Sequence, residues 1–422
     1  MKRFLIIIPA LLLCCLLSAQ DYMVPELEAA LREDLKRSTG NMMPYNHGDL
    51  TETPAPCGYK PFYISHYARH GSRHSWGDKY YQRVIEVCRK ADSLGILNDK
   101  GRAVWQEAVT ALETWNGMDG RLSPLGVEEH RQMAHRMAKR YRAVFRGEPH
   151  IRVRFSTVQR SILSGTSFST ALAADFPRAK WDFDTGERIM DYIGDTGKSA
   201  PEVDALRSRV RNRKWDFQVD KYQIVGRLFT DSLAALTIIP DIAKFNSGLF
   251  QTASVAACWE FEDHILTELP FGLIYRYCSD SNHRGYARYG NPVEVPAERL
   301  ASAHLLVDDI VSKADEVIAN GGYAADLRFG HDNPLEVLIS YIGIEGPGGK
   351  YSFDELDKYY ARWRDICMGS NLQMIFYRNK AGHVLVKFLY QEQERRLRGL
   401  ESVTGPYYDW ETVKANIEGF RR

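Results

Sequence analysis

Residues 69–73 read Arg-His-Gly-Ser-Arg and directly follow an apolar run, residues 62–68, that predicts a β-strand. Two arginines around a histidine are unfavourable in a hydrophobic core, because unpaired charges are costly to bury. The same residues suit a phosphate, since a guanidinium donates two parallel hydrogen bonds to its oxygens and stays charged. Gly71 has no Cβ and allows a sharp turn beside a ligand. The sequence therefore predicts a strand that ends at an anion site, with the imidazole of His70 facing the phosphorus.

The composition is that of a folded, nearly neutral protein. Of 422 residues, 44% are hydrophobic and 26% are charged, which argues against disorder. The length allows two domains, or one domain with a large insertion. A net charge of +1 gives no reason to expect nucleic acid or an anionic membrane as a partner. We therefore expect a small-molecule ligand, and leave open whether the protein is a monomer or a homodimer.

The first 20 residues have the pattern of a signal peptide. Lys2 and Arg3 precede an apolar stretch, residues 4–17, which ends in the small residues Ser18 and Ala19. The stretch is too short to span a bilayer comfortably. We expect a periplasmic or secreted protein with this segment removed.

In such a compartment the remaining cysteines predict one or two disulfide bonds plus a free thiol, with the pairing left open. They are Cys57, Cys88, Cys258, Cys278 and Cys367. No CxxC pair or His/Cys cluster has zinc spacing, so no metal is predicted.

The pattern along the chain is typical of an α/β protein. Residues 151–155 predict a second strand, and residues 372–377 with Val384–Tyr390 predict a hairpin. Ser123 followed by Pro124 predicts the start of a helix that extends to about residue 144. Residues 191–295 are charged or aromatic and helical in pattern. We predict an α/β domain from residues 21–190 and 296–422, with a mainly helical insertion between them.

Two further clusters lie at predicted strand ends. After residues 151–155, Thr157 is predicted to cap a helix, which places Arg160 in its first turn, where the helix dipole favours phosphate. His331 and Asp332 precede a helix predicted to have Asn333 as its cap. In an open α/β sheet, ligands bind at the carboxyl ends of the strands, so the three clusters are expected to meet.

With these motifs, nearly the whole chain resembles the histidine phosphatase superfamily, in the histidine acid phosphatase branch that includes phytases and multiple inositol polyphosphate phosphatases. The resemblance covers the Arg-His-Gly-x-Arg start, Leu-Ser-Pro-Leu-Gly at residues 122–126, Ser-Thr-x-x-Arg at residues 156–160, and the late His-Asp. It implies a phosphoglycerate-mutase-like three-layer α/β sandwich with a helical insertion. The implied activity is metal-independent and cofactor-free hydrolysis of phosphate monoesters.

The resemblance also implies roles for individual residues. His70 matches the nucleophile that becomes a phosphohistidine. His331 matches a second histidine that donates to a phosphoryl oxygen, and Asp332 matches the acid that protonates the leaving alcohol. The phosphate clamp of the family corresponds to Arg69, Arg73 and Arg160.

The chain departs from the family pattern in two places. Ser75 and Trp76 stand where many members have proline and threonine, and the late motif is His-Asp, not the His-Ala-Glu typical of the inositol polyphosphate group. The first departure affects the expected shape of the site wall that faces the substrate, but not the phosphate clamp. The second weakens the assignment to inositol polyphosphates. Further candidate contacts to a polyanionic substrate are His74, Lys79 and Arg102.

Two other functions share the same residues. A phosphomutase of the superfamily would return the phosphoryl group to its product, but export favours hydrolysis. A binding protein for phosphorylated ligands would need neither His70 nor Asp332. His66, in the first strand, is expected to be a core or near-site histidine with its hydrogen bonds satisfied.

Overall fold

The computed structural model describes residues 22–194, 200–215, 220–259 and 264–419. The predicted signal peptide, residues 1–20, lies outside these ranges. Within them, no helix combines the length and the apolar character that crossing a membrane requires.

Strands follow the predicted segments closely and add several more. In the described part of the chain they are β1 (Lys60–Arg69), β2 (His150–Phe155), β3 (Lys180–Thr185), β4 (Asn291–Pro292), β5 (Ala325–Gly330), β6 (Lys350–Tyr351), β7 (Asn371–Arg378), β8 (Val384–Tyr390), β9 (Gln393–Arg395) and β10 (Tyr407–Asp409). The main sheet has the order β10-β8-β7-β1-β5-β2-β3, and β9 pairs with β8. Strands β1, β5, β2 and β3 are parallel, whereas β7, β8 and β10 continue the sheet in antiparallel pairs.

The helices lie on both sides of this sheet and beside it. They are α1 (Pro25–Glu33), α2 (Lys79–Ser93), α3 (Asp99–Trp115), α4 (Pro124–Arg140), α5 (Gln159–Asp175), α6 (Glu187–Ile193), α7 (Pro201–Arg211), α8 (Gln223–Leu228), α9 (Ser232–Ile238), α10 (Ile242–Ala256), α11 (Ile265–Glu268), α12 (Phe271–Tyr289), α13 (His304–Asn320), α14 (Asp332–Ile342), α15 (Leu356–Tyr359), α16 (Arg362–Asp365) and α17 (Trp410–Gly419). Short 3-10 helices occupy Leu35–Met42, Ala257–Trp259, Ala297–Ala303 and Phe353–Glu355. As predicted, Ser123 caps α4 by accepting from the Gly126 amide, but the helix ends at Arg140, before residue 144.

Strand β1 shows why the structure has three layers. Its side chains alternate between the two faces of the sheet. Tyr63 and Tyr67 pack into the core under α13, α14 and α17, whereas Ile64 and Ala68 pack into the core under α4 and α5. The apolar run after residue 61 is buried on both sides, as expected for a central strand of a mostly parallel sheet. The predicted three-layer α/β sandwich is confirmed.

A third core holds the helical part together. Helices α7–α12 lie within the predicted insertion and contribute no strand to the large sheet. Side chains of α8 and α10 pack with Val84 of α2 and Val104 of α3 in one cluster. Sequence analysis placed α2 and α3 in the α/β domain; in the structure they share this apolar cluster with helices of the predicted insertion.

The five described cysteines are all free thiols, which corrects the prediction of disulfide bonds. Four of them are buried in different surroundings. Cys88 belongs to the helical core, Cys258 donates toward the Met42 carbonyl, Cys278 packs beside α1, and Cys367 contacts Ser370.

His66 of β1 is buried among aromatic rings. Its imidazole stacks on Phe168 at 5.3 Å between centroids and meets the edge of Phe329 at 5.6 Å. Neither ring nitrogen has a hydrogen-bond partner among the described residues, so the expectation of satisfied hydrogen bonds was wrong. Burial, together with the nearby His130 and Arg328, lowers the pKa of His66 from 6.5 to about 3.

This histidine predicts a loss of stability in acid. Between about pH 6.5 and pH 3 the unfolded chain binds a proton at His66 that the folded chain does not, so stability falls as the pH drops, by about 1.4 kcal/mol per unit. We expect the free energy of unfolding of His66→Leu to fall less between pH 7 and pH 5 than that of the wild type, by about 2 kcal/mol. Urea titrations at both pH values measure the difference. An equal pH dependence in the two proteins would contradict the prediction.

Candidate active site

The carboxyl ends of β1, β2 and β5 lie side by side. Arg69 is opposite Gly330 in the parallel register, and Phe155 is opposite Phe329. Backbone hydrogen bonds continue the sheet beyond the strands, because the His70 amide donates to the Gly330 carbonyl at 3.0 Å and the Ser156 amide donates to the Phe329 carbonyl at 3.0 Å. The residues that follow the three strands therefore face a common space.

That space is a cavity of about 570 Å³ between the sheet edge and the helical part. All six residues to which the resemblance assigned phosphate chemistry line it, namely Arg69, His70, Arg73, Arg160, His331 and Asp332. The opposite wall consists of side chains from α10 and α12, and the 3-10 helix Leu35–Met42 closes one side. The structure thus brings together groups that are up to 263 positions apart in the sequence.

His70 is held as a neutral imidazole. Its Nδ1 lies 2.9 Å from the Gly71 carbonyl, which can only accept, so Nδ1 carries the ring proton and Nε2 keeps its lone pair. Burial and the positive charges of Arg69 and Arg160 hold the pKa of His70 well below 6.5. A neutral ring with a free Nε2 can act as a nucleophile.

Three arginines surround this ring. Arg69 is 1% exposed and is fixed by donating to the Asn41 carbonyl at 2.6 Å and the Ile366 carbonyl at 2.9 Å. Burial and the charge of Arg69 lower the pKa of Arg73 to about 9 and that of Arg160 to about 10. The guanidiniums repel one another, and an anion bound between them would relieve that repulsion.

The ring of His331 lies next to that of His70. The two ring centroids are 5.7 Å apart and the planes are tilted by 70°. Nε2 of His331 is 3.0 Å from the Ser156 hydroxyl, and the hydroxyl of Tyr67 is 3.2 Å from its amide. These contacts fix the second imidazole beside the first, so that both rings face the same cavity.

Asp332 is an ionised carboxyl at the start of α14. Its Oδ2 accepts from Asn41 Nδ2 at 2.6 Å and lies 3.3 Å from an Arg362 nitrogen and 3.6 Å from an Arg69 nitrogen. Burial raises the pKa of Asp332, but the two arginines and the Asn41 hydrogen bond outweigh it, and the pKa lies well below 3.8. The carboxyl is therefore held in place and ionised in the free protein.

Both helices that carry site residues begin one or two residues away from the predicted positions. Helix α5 starts at Gln159 after Val158, so Thr157 is not its cap, although Arg160 is in the first turn as predicted. Helix α14 starts at Asp332 with His331 as the N-cap residue, so Asn333 is not the cap. The first turn of α14 thus includes the carboxyl itself.

Sequence reasoning missed two residues that hold Asp332. Asn41 is 291 positions away in the 3-10 helix Leu35–Met42 before β1, and Arg362 is 30 positions away in the short helix α16. Arg362 also pairs with the buried Glu336 at 3.3 Å, which in turn accepts from the Tyr360 hydroxyl. No motif surrounds Asn41 or Arg362, so only the tertiary structure could identify them.

The three further candidate contacts do not line this cavity. His74 is buried against Trp115 and Trp259, and burial followed by the charge of Arg73 lowers its pKa to about 4. Lys79 is exposed over the ring of Tyr80, and Arg102 pairs with Asp99 of its own helix.

Comparison with known proteins gives relatives of one kind. No family model matches the chain. Multiple inositol polyphosphate phosphatase 1 of Gallus gallus is 21% identical over 327 residues, which are 70% of this chain and 66% of that protein, slightly less than two thirds of its length.

Solved structures match over more of the chain. The multiple inositol polyphosphate phosphatase of Bifidobacterium longum, in complex with inositol hexasulfate, has a TM-score of 0.71 at 16% identity, covering 90% of this chain and 97% of the other. The phytase from D. castellii has a TM-score of 0.64 at 15% identity, covering 92% and 86%. The chain therefore has the fold of the histidine acid phosphatases and phytases.

Proposed function

We propose that this chain, which has the histidine acid phosphatase fold, hydrolyses phosphate monoesters through a phosphohistidine formed on His70. The observation that supports this most strongly is the environment of Nε2. It is an unprotonated nitrogen that faces a cavity beside three arginines, a second histidine and a carboxyl. This combination supplies a nucleophile, charge stabilisation and an acid, which are the requirements of phosphoryl transfer.

In the first step Nε2 of His70 attacks the phosphorus and the bond from phosphorus to the ester oxygen breaks. The non-bridging oxygens are bound by the guanidinium groups of the clamp and by His331. The electron pair of the broken bond goes to the leaving oxygen, which takes a proton from Asp332. The product alcohol leaves and the phosphoryl group stays on nitrogen.

The proton on Asp332 is proposed to arrive with the substrate. In the free protein the positive charges of Arg69 and Arg362 keep the carboxyl ionised. A phosphate monoester whose second pKa is about 6 enters as a monoanion in mildly acidic solution and brings a proton. Once the phosphoryl oxygens bind the arginines, those charges are neutralised and the carboxyl can hold that proton.

In the second step a water molecule attacks the phosphorus and the bond to Nε2 breaks. Asp332, now a carboxylate, takes a proton from the water, which restores His70 and yields inorganic phosphate. One carboxyl thus serves as acid and then as base, which requires it to lie near the leaving oxygen in the first step and near the water in the second.

The charge of the cavity favours substrates with several phosphates. Five arginines line it, whereas Asp332 is the one carboxylate among the described lining residues. Arg284, on α12, lies outside the clamp and adds positive charge to the opposite wall. Arg362, on α16, lies beside Asp332 and also pairs with Glu336. We propose a small polyphosphorylated alcohol such as inositol hexakisphosphate, in line with the names of the relatives.

A substrate panel tests this proposal. Inositol hexakisphosphate, a sugar phosphate, a nucleoside monophosphate and an aryl phosphate are each incubated with the protein from acidic to neutral pH, and free phosphate is measured. We expect release from all four and the highest kcat/KM for inositol hexakisphosphate, because of the five arginines. Isomer formation without free phosphate would instead indicate a mutase, and tight binding without turnover would indicate a binding protein.

A further inference from the structure

Trp76 occupies an unusual position for a large aromatic residue. Its side chain is 62% exposed, yet it lines the cavity next to the phosphate clamp. It also stands at one of the two positions where the chain departs from the family pattern. An exposed tryptophan beside charged groups calls for a role other than core packing.

Two of the three clamp arginines lie against this indole. The guanidinium carbon of Arg73 is 4.1 Å from the ring centroid of Trp76, and that of Arg160 is 4.8 Å away. Both distances are within the range of cation–π attraction, for which tryptophan is the strongest partner. Among the described residues, Arg69 has no cation–π contact and is held by its hydrogen bonds to two backbone carbonyls.

The same two arginines have few other supports. Arg73 donates to the His74 carbonyl at 2.7 Å, and Arg160 donates to the Gly120 carbonyl at 3.3 Å. The Nε atoms of both, like that of Arg69, are buried and have no hydrogen-bond partner among the described residues. The indole is therefore the contact that the two guanidiniums share.

The indole is itself held in place by a glycine turn. Gly120 has a φ of +63°, and its amide donates to the Ser75 carbonyl at 2.6 Å. A Cβ at Gly120 would lie 3.3 Å from the indole, so the ring rests directly on this turn. The turn thus supports Trp76 and Arg160 together.

We propose that Trp76 is a positioning residue that holds Arg73 and Arg160 in the orientation that binds phosphate. The inference rests on the proposed function, since it assigns these arginines to a phosphoryl group. The negative face of the indole offsets part of the repulsion between the two cations and restricts their rotamers before the ligand arrives. Trp76 touches the clamp, not the reacting atoms.

Binding of inorganic phosphate, followed by calorimetry, tests this role without any turnover. We expect Trp76→Ala to weaken phosphate binding about 5- to 30-fold, the loss that corresponds to two cation–π contacts. Trp76→Phe should restore most of the affinity because it keeps a π face. Trp76→Leu should bind as weakly as Trp76→Ala, because it keeps only apolar bulk.

The matched control is Tyr222→Ala. Tyr222 is exposed, and Lys221 lies 5.1 Å from its ring, but it does not line the cavity. We expect it to bind phosphate like the wild type. A double-mutant cycle adds a readout that general structural damage would not give. In the Arg160→Ala background, Trp76→Ala should weaken phosphate binding by a smaller factor than it does in the wild type.

The outcomes separate this inference from the proposed function. Wild-type affinity in Trp76→Ala or in Trp76→Leu would overturn the positioning role, even if the protein is a phosphatase. Full additivity in the double-mutant cycle would also overturn it. If the wild type binds phosphate but releases none from esters, the hydrolysis proposal fails, while the calorimetric comparison still tests the tryptophan.

Discussion

Replacing His70 by alanine is expected to lower the rate of phosphate release by about 10⁴-fold or more, because the variant lacks the nitrogen that accepts the phosphoryl group. Inorganic phosphate should still bind, since the three clamp arginines line the cavity independently of the imidazole. Among the described residues, the His70 side chain forms a hydrogen bond only with the carbonyl of its neighbour Gly71. Removing the ring should therefore leave the fold intact. A loss of turnover with retained phosphate binding is the expected signature.

The covalent intermediate gives the direct measurement. Wild-type protein is mixed briefly with a labelled phosphate ester and quenched in alkali, in which phosphohistidine is stable and acyl phosphates are not. Label should remain on the wild type and be absent from His70→Ala. His135→Ala is the matched control, because His135 is exposed and pairs with Asp175 outside the cavity. Label on His70→Ala, or activity near the wild-type value, would rule out this nucleophile.

The environment of His70 also gives the sign of its pH dependence. Since burial and the arginines hold the pKa of His70 well below 6.5, the ring stays unprotonated in mildly acidic solution, where an ordinary imidazole would be positively charged. The nucleophile is therefore expected to stay active at pH 5. Protonation of an unperturbed histidine would lower the rate of label incorporation steeply between pH 7 and pH 5. The rates measured at these two pH values should differ by less than that.

The convergence of the site was predictable because it depends on a rule of sheet topology. Parallel strands present their carboxyl ends at one edge, so motifs placed after residues 69, 155 and 330 had to face a common space once the strands were adjacent. The order of the strands was not predicted from the sequence and is known from the structure alone. Resemblance to a known family implied the three-layer sandwich, but not this order.

Other features were beyond the sequence because they depend on side chains that meet only in the folded chain. Asn41 and Arg362 hold the Asp332 carboxyl, but neither lies in a motif or near the other in sequence. The packing of α2 and α3 on α8 and α10 is likewise a tertiary property of apolar faces. The number of cysteines alone gave a wrong prediction of disulfide bonds, since four of the five thiols are buried in separate places and Cys57 is exposed.

Helix starts show the limit of local rules at the site. Asn-Pro at residues 333–334 is a strong start signal, yet α14 begins at Asp332, with the proline inside its first turn. The carboxylate of Asp332 thus lies at the positive end of the helix dipole, which favours its ionised form. This two-residue difference places the helix dipole where it adds to the charges of Arg69 and Arg362, which hold the carboxyl ionised in the free protein.

Asp332→Asn is expected to slow hydrolysis of an alkyl phosphate about 10²- to 10⁴-fold, because the leaving alkoxide then has no acid to protonate it. Asparagine keeps an oxygen that can accept from Asn41. Inorganic phosphate should bind at least as tightly as it does to the wild type, because the substitution removes a negative charge 3.6 Å from Arg69. The change should therefore appear in kcat and not as a weaker ligand affinity.

The choice of leaving group distinguishes an acid from a merely structural carboxyl. A nitrophenolate leaves without protonation, so the variant should still form the phosphoenzyme from 4-nitrophenyl phosphate and release a burst of nitrophenol close to one equivalent. The steady state that follows should be slow, since Asp332 also accepts the proton of the attacking water in the second step. With an alkyl phosphate the burst should disappear. A variant that loses the burst equally with both esters would show that Asp332 supports the architecture of the site and does not protonate the leaving group.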